Sequence, residues 1–353
     1  MNKTVRDGLL FLLCFACGTL ILAGIVRAAG ASPVAVAAAL YKGAFGSRYN
    51  LAETVIQATP LLLAGLSVAL SFQCRLFNIG AEGQLVVGAM AAVAVGTGSF
   101  PPSVQLLLCL VAGAGAGALW AGIAAALKVY RGVQEVLSTL LLNFVAVQLL
   151  AYAVRGPLQE TEKYLVQSDR IAIPARLLLL LPASGDMPAT RLHAGVIIAL
   201  VVTLFVWVYL RFTAGGFALR AVGAGAGAAE LAGISVRKTL IKTFLLSGAL
   251  AGLAGAIQVC GVTYFLGDRF SGGYGYTAIA VALLAHQSPG WIVVSALFFG
   301  ALTAGSSSVQ TAGVSPVVIQ VMQAVVLLGL LAFGYLRGRT SGSNVVKAGG
   351  ADA

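Results

Sequence analysis

The sequence predicts an all-α polytopic membrane protein with about ten transmembrane helices and both termini in the cytoplasm. Three observations carry this prediction. Of the 353 residues, 59% are hydrophobic and 9% are charged. A soluble domain carries about 25% charged residues, so this chain cannot cover a globule with polar surface. A soluble enzyme, a disordered protein and a secreted disulfide scaffold are thereby excluded. Second, the apolar residues fall in runs close to the ~20 residues that a helix needs to cross a bilayer. Third, the 22 Lys and Arg, against 11 Asp and Glu, gather at the ends of those runs, as the positive-inside rule expects. No basic run is longer than Arg237-Lys238, so the net charge of +11 marks topology in a lipid bilayer and not a nucleic-acid surface.

The expected spans are 8–28, 52–72, 77–98, 104–126, 133–154, 192–212, 239–264, 274–287, 290–310 and 315–336. The apolar run of the first, Gly8 to Val26, exceeds the roughly 7–15 residues of a signal-peptide core, so an uncleaved helix is expected. Segment 33–45 is too short to span and reads as an interfacial helix. The third span opens with Asn78-Ile79-Gly80-Ala81-Glu82-Gly83-Gln84. Its two glycines weaken the helix there, and Asn78 and Glu82, four apart, would share a helical face. Gly113/Gly117 and Gly248/Gly252 have the G-x-x-x-G spacing of close helix contacts. In the fifth span Glu135, Thr139 and Asn143 step by four with Ser138 beside them. Such a polar stripe must face protein or water, not lipid.

Loop 155–191, external in this topology, holds Pro157, Pro174, Pro182 and Pro188 with charges of both signs. It reads as a structured or partner-facing segment. Loop 213–238 is cytoplasmic, rich in Ala and Gly, and fits a short helix around Glu230. The eighth span opens with Ser271-Gly272-Gly273-Tyr274-Gly275-Tyr276 and stops before Pro289-Gly290. Short, glycine-interrupted spans point to a substrate route. Gln320 and Gln323 add polar groups to the last span. Residues 1–339 form the membrane domain, and 340–353 a small, polar, disordered tail.

The chain has no engine of its own. The nearest approach to a phosphate-binding loop, Gly233 to Thr239, places Arg237 where a second glycine is required. His193 and His286 sit at span ends, and no nucleophile–base set accompanies them. Cys14 and Cys17 read as small apolar residues in a span. Glu82 and Glu135 are acids within spans. Either they serve a solute route, or they pair with a basic or amide group on a neighbouring helix. The candidate route residues are Asn78, Glu82, Gln84, Glu135, Ser138, Thr139, Asn143, Tyr274, Tyr276, Gln320 and Gln323. Amides and hydroxyls suit a neutral, hydroxyl-rich solute. On this reading Asn143→Leu cuts uptake without cutting membrane levels.

Asn50 to Phe72 (NLAETVIQATPLLLAGLSVALSF) and Phe77 to Ala89 (FNIGAEGQLVVGA) resemble permease subunits of bacterial ABC importers of the ribose and branched-chain amino-acid permease superfamily. FNIGAEGQ resembles its nucleoside and simple-sugar branch. Glu135 to Leu158, Gly273 to Leu284 and Phe298 to Gly305 extend the likeness in order along residues 50–335. The resemblance implies a translocation subunit in the inner membrane that binds no cofactor itself. It also implies a cytoplasmic ATPase that hydrolyses ATP, a second related permease or another copy of this chain, and an extracytoplasmic binding lipoprotein. Val222 to Val236 then resembles the ATPase coupling segment, with Gly223, Glu230, Gly233, Ile234 and Arg237 in or beside it. The chain departs from the family at Gly225-Ala226-Gly227, where an Asn-Pro-Glu-like sequence is usual, and at Thr277, where an acid is usual. The alternative reading is a proton-coupled secondary transporter with Glu82 or Glu135 as carrier.

Overall fold

In this computed structural model the described residues are 3–28, 30–181, 190–268, 270–311, 320–325, 328–329 and 332. Twelve named helices run along them: α1 (Lys3–Ala28), α2 (Pro33–Phe45), α3 (Arg48–Gln73), α4 (Ala81–Gly96), α5 (Pro102–Arg131), α6 (Glu135–Arg155), α7 (Gly195–Phe212), α8 (Ala214–Ala224), α9 (Ala226–Leu231), α10 (Val236–Gln258), α11 (Tyr274–Leu284) and α12 (Pro289–Thr311). A π-helical turn, Val259–Thr263, prolongs α10. The only β structure among the described residues is two isolated bridges, Gln167 with Gly267 and Leu179 with His193.

Among the described residues six helices are long and apolar enough to cross a membrane: α3, α5, α6, α7, α10 with its π turn, and α12. The described end of α1 and the short α2 meet at a 103° bend and together pass the same test. The expected spans at 77–98 and 274–287 are shorter helices, α4 and α11, of 16 and 11 residues. Most of the expected span 315–336, the tail 340–353, Pro182, Pro188 and the side chain of Cys14 lie outside the described residues.

The chain divides into a terminal unit, residues 1–50 and 302–353, and a central unit, residues 51–301. In the terminal unit Val26, Val36 and Val309 form a buried cluster joined by Leu40 and Met322. There Gly43 lets α2 lie directly against Gly305 and Ser308.

The central unit is built around α4, α5 and α10. Glycine is what lets these three backbones touch. A Cβ on Gly252 would stand 2.2 Å from the Gly113 carbonyl oxygen, and one on Gly117 would stand 2.3 Å from that of Gly248. The two G-x-x-x-G pairs of the sequence are thus one interlocked seam between α5 and α10. Helix α3 is buried continuously from Ala58 to Ser71, as a helix apolar on all sides should be. In contrast α6 exposes Leu137, Leu141 and Phe144, and α7 exposes Leu204 and Phe205; those faces suit lipid.

The described part of the segment after α6 is folded. Arg155 pairs with Asp268 at 2.8 Å, and the Arg176 guanidinium lies 4.8 Å from the centre of the Tyr264 ring. The Thr161 hydroxyl and N–H donate to Asp169 at 2.7 and 3.1 Å. They hold its carboxyl below the usual carboxylate range. Where the sequence suggests one short helix in 213–238, there are two, α8 and α9, with Thr213 capping the first through the Gly216 N–H at 3.1 Å.

The seam makes a prediction. Gly252→Ala drives a methyl into the Gly113 backbone and destabilises the protein by about 1–3 kcal/mol. Gly115→Ala, with nothing within 4 Å of its Cβ, does not. Thermal unfolding of the purified protein checks this, and equal melting of the two variants would contradict the seam.

Candidate functional site

Between α3 and α4 the chain unwinds. Residues 74–80 form no helix, although α3 and α4 are both deeply buried there. Arg75, at φ 54°, turns the chain out of α3, and its N–H returns to the Phe72 carbonyl at 3.0 Å. Buried backbone outside a helix persists only where protein groups satisfy it. Carbonyls of α3, side chains of α6 and Asn78 itself do so here.

Asn78 lies at the centre. Its Oδ1 accepts from the Gly80 N–H at 2.9 Å and from Gln84 Nε2 at 3.1 Å. Its Nδ2 donates to Ser247 Oγ on α10 at 2.8 Å, and Ser247 donates on to the Ser67 carbonyl of α3 at 2.9 Å. From α6, Asn143 accepts the Gly83 N–H at 2.9 Å and donates to the Ile79 carbonyl at 2.9 Å. Thr139 accepts the Ile79 N–H at 3.3 Å. Glycine at 83 permits this approach, since a Cβ there would lie 2.9 Å from Asn143 Oδ1.

Glu82, in the first turn of α4, crosses to the start of α11. Its carboxylate accepts the Gly275 N–H at 2.7 Å and the Ser271 hydroxyl. The first N–H groups of a helix lack partners within it and carry partial positive charge. One carboxylate therefore caps α11 from within the first turn of α4. The close fit needs Gly275, whose Cβ would stand 2.2 Å from the Glu82 nitrogen.

The structure brings Asn78, Glu82, Gln84, Thr139 and Asn143 together, each at most 5% exposed. It also changes the arrangement that their spacing suggested. Asn78 precedes α4, so it shares no helical face with Glu82, and the two serve different partners. Glu135 is drawn away to Lys128 at the end of α5, at 2.7 Å. Ser138 bonds its own helix at the Glu135 carbonyl, 3.1 Å away. Tyr276 is partly exposed, and its hydroxyl accepts from Asn143 at 3.4 Å. In the terminal unit Gln320 is exposed and Gln323 donates to Thr303 at 3.5 Å. His193 is buried, accepts the Gly195 N–H at 3.1 Å, and lies flat on Gly261.

Of a second polar row, sequence reasoning singled out only Tyr274. The Tyr274 hydroxyl donates to Gln57, Gln57 donates to Glu53 at 2.8 Å, and Arg191 donates to Glu53 at 2.9 Å. Unlike the network around Asn78, Glu53, Gln57 and Tyr274 are only partly buried. The four-residue spacing of Glu53 and Gln57 was readable in the sequence. The distant partners Ser67, Ser247 and Ser271 carry no such signal.

At the other end, Gly223 is buried where α8 meets the end of α3, since a Cβ there would stand 2.0 Å from the Gln73 carbonyl oxygen. Glu230, Gly233 and Arg237 are exposed and Ile234 is half-buried. Between them Leu231 is 93% exposed, an apolar residue that the sequence reading passed over.

Asn143→Leu now has a different expected outcome. It strips partners from the Gly83 N–H and the Ile79 carbonyl, at about 1–3 kcal/mol for each buried group left unpaired. Membrane level and melting temperature both fall; unchanged levels with lost uptake would restore the simpler route assignment.

The family described as "branched-chain amino acid transport system / permease component" matches residues 50–332. The glucose ABC transporter permease protein TsgB13 of Haloferax volcanii is 37% identical over 86% of this chain and 82% of its own. The guanosine ABC transporter permease protein NupP of Bacillus subtilis is 36% identical over 86% and 87%. The nucleoside ABC transporter permease protein NupB of Lactococcus lactis is 31% identical over 93% and 91%. The chain is therefore a multi-pass membrane permease component of an ABC transporter, a member of the branched-chain amino acid transport permease family in its nucleoside and sugar branch.

Proposed function

We propose that this chain is the translocation subunit of an ATP-driven importer for a nucleoside or a related sugar-like solute. The half-buried row of Glu53, Gln57 and Tyr274 carries this reading. A carboxylate, an amide and a phenol on facing helices match the hydroxyls and exocyclic groups of such a solute. The relatives named for guanosine, nucleosides and glucose share that chemistry. In this proposal solute enters beside Glu53 and Tyr274. It then passes the edge of the Asn78–Glu82–Gln84–Asn143 network, which holds the wall of the route. Tyr276 lines the same wall, while Glu135 and Ser138 support α6 from behind. Gln320 and Gln323, on the last span, are further proposed solute contacts within the terminal unit.

The proposed topology has ten spans, with both termini on the cytoplasmic side of the inner membrane. The chain binds no cofactor. A cytoplasmic ATPase docks on α8 and α9 around Leu231, Glu230, Gly233, Ile234 and Arg237, with Gly223 transmitting movement to α3. A second permease, related or identical, completes the pathway, and a binding lipoprotein delivers solute to the external segment 155–191. ATP binding and hydrolysis rock α8 and α9, and the spans open alternately to either side.

The test is uptake of a labelled purine nucleoside by cells that express the chain with its partner subunits. Mutating the Walker lysine of the ATPase abolishes uptake. Uptake that survives this mutation and stops with a protonophore would replace the proposal with a secondary transporter. Within the route, Tyr274→Phe removes one hydroxyl contact and raises KM for the nucleoside by about threefold to tenfold at unchanged membrane level. An unchanged KM would remove Tyr274 from the route.

A further inference from the structure

Two cavities lie side by side where α3, α7 and α11 end in the central unit. One, of about 640 Å³, is lined by Arg75, Phe77 and Arg220 among others. Its neighbour, of about 660 Å³, is lined by Trp207, Arg211, Phe212 and again Arg220. Gln73 and Gln287 belong to both walls. The floor is fixed: Gln73 Nε2 donates to the Gln287 carbonyl at 2.8 Å and ties α3 to the turn before α12.

The charge around these cavities is one-sided. No Asp or Glu lines either. Arg75, Arg211 and Arg220 are exposed, and none is ion-paired among the described residues. Guanidinium groups bind phosphate in a planar, bidentate fashion. The remaining wall is apolar and aromatic, with Phe72, Leu76, Phe77 and Leu283 on one side. On the other, Trp207 and Phe212 pack edge to face at 5.5 Å and are 42% and 67% exposed. Both rings stand at the end of a membrane-length helix, the depth at which aromatic residues meet lipid headgroups. A free soluble anion would find the arginines but would leave the exposed aromatic wall uncovered. A phospholipid covers both.

We propose that these cavities bind the headgroup of an anionic phospholipid. Its phosphate lies against Arg220, with Arg211 and Arg75 on either side, and an acyl chain runs along Trp207 and Phe212. Arg220 stands on α8, one helix before Leu231. The lipid therefore pins α8 to the membrane surface and makes that segment's position depend on anionic lipid.

Native mass spectrometry of the complete transporter, released from nanodiscs of phosphatidylcholine and phosphatidylglycerol, tests the proposal. The parent retains phosphatidylglycerol in preference to phosphatidylcholine. The double variant Arg211→Gln/Arg220→Gln retains about tenfold less phosphatidylglycerol, with phosphatidylcholine unchanged. Arg131→Gln, at the end of α5, serves as a surface-charge control and retains the parent amount. Equal retention by the parent and the double variant would overturn the site. An equal loss in Arg131→Gln would do the same. Loss of the ATPase with phosphatidylglycerol retained would show that the cavities dock protein, and would also overturn it. A second measurement needs no arginine variant: phosphatidylglycerol brominated on its acyl chains quenches the fluorescence that Trp207→Phe removes. Brominated phosphatidylcholine does so only weakly. Equal quenching by the two lipids would contradict the proposal.

Discussion

The structure depends on one constraint: an unwound segment, residues 74–80, lies inside a membrane protein and every exposed backbone group in it needs a partner. Cys74, Leu76, Asn78 and Gly80 in it are buried, away from water, so protein groups must be those partners. Carbonyls of α3 accept the Cys74, Arg75 and Leu76 N–H groups, Thr139 and Asn143 of α6 pair with the Ile79 N–H and carbonyl, and Ser247 of α10 holds the Asn78 side chain that accepts the Gly80 N–H. The same region places the first turn of α4 against the start of α11, with Glu82 capping it. Two short helices thereby become parts of one rigid wall. Neither would be held at its position by length or apolar surface alone.

The rigid wall and the close seam divide the work. The glycine contacts of α4, α5 and α10 set backbones so near each other that even a methyl group would collide. Packed interiors of this kind move as blocks and transmit displacement. Helix α8 meets the end of α3 through Gly223, which gives segment 213–238 a direct mechanical contact with a deeply buried helix. The half-buried row from Arg191 to Tyr274 stands apart from this scaffold. Its groups are partly accessible and bonded mainly to each other.

Much of this was legible in the sequence, because lipid and helix periodicity leave strong local marks. Apolar runs placed α3, α5, α6, α7, α10 and α12. The G-x-x-x-G pairs pointed to contacts that the structure shows as a single seam. The run Asn78 to Gln84 announced a weak helix start. The direction of its side chains was not legible. Asn78 and Glu82 look like neighbours at helical spacing, yet one lies before the helix and the other within it. Glu135 looks like part of the stripe with Asn143, but Lys128, seven residues earlier on another helix, captures it. Ser247 and Ser271 are ordinary serines until tertiary packing sets them beside Asn78 and Glu82.

The most direct measurement compares Glu82→Gln and Glu82→Leu in the reconstituted transporter, with melting and ATP-driven uptake recorded on the same samples. If Glu82 caps α11, melting temperature falls from Glu to Gln to Leu, as two, one and no acceptor oxygens remain. Uptake per folded transporter then survives in Glu82→Gln, since an amide still caps the helix. A Glu82→Gln protein that melts like the parent but carries no solute would contradict the account and make the carboxylate itself the working group.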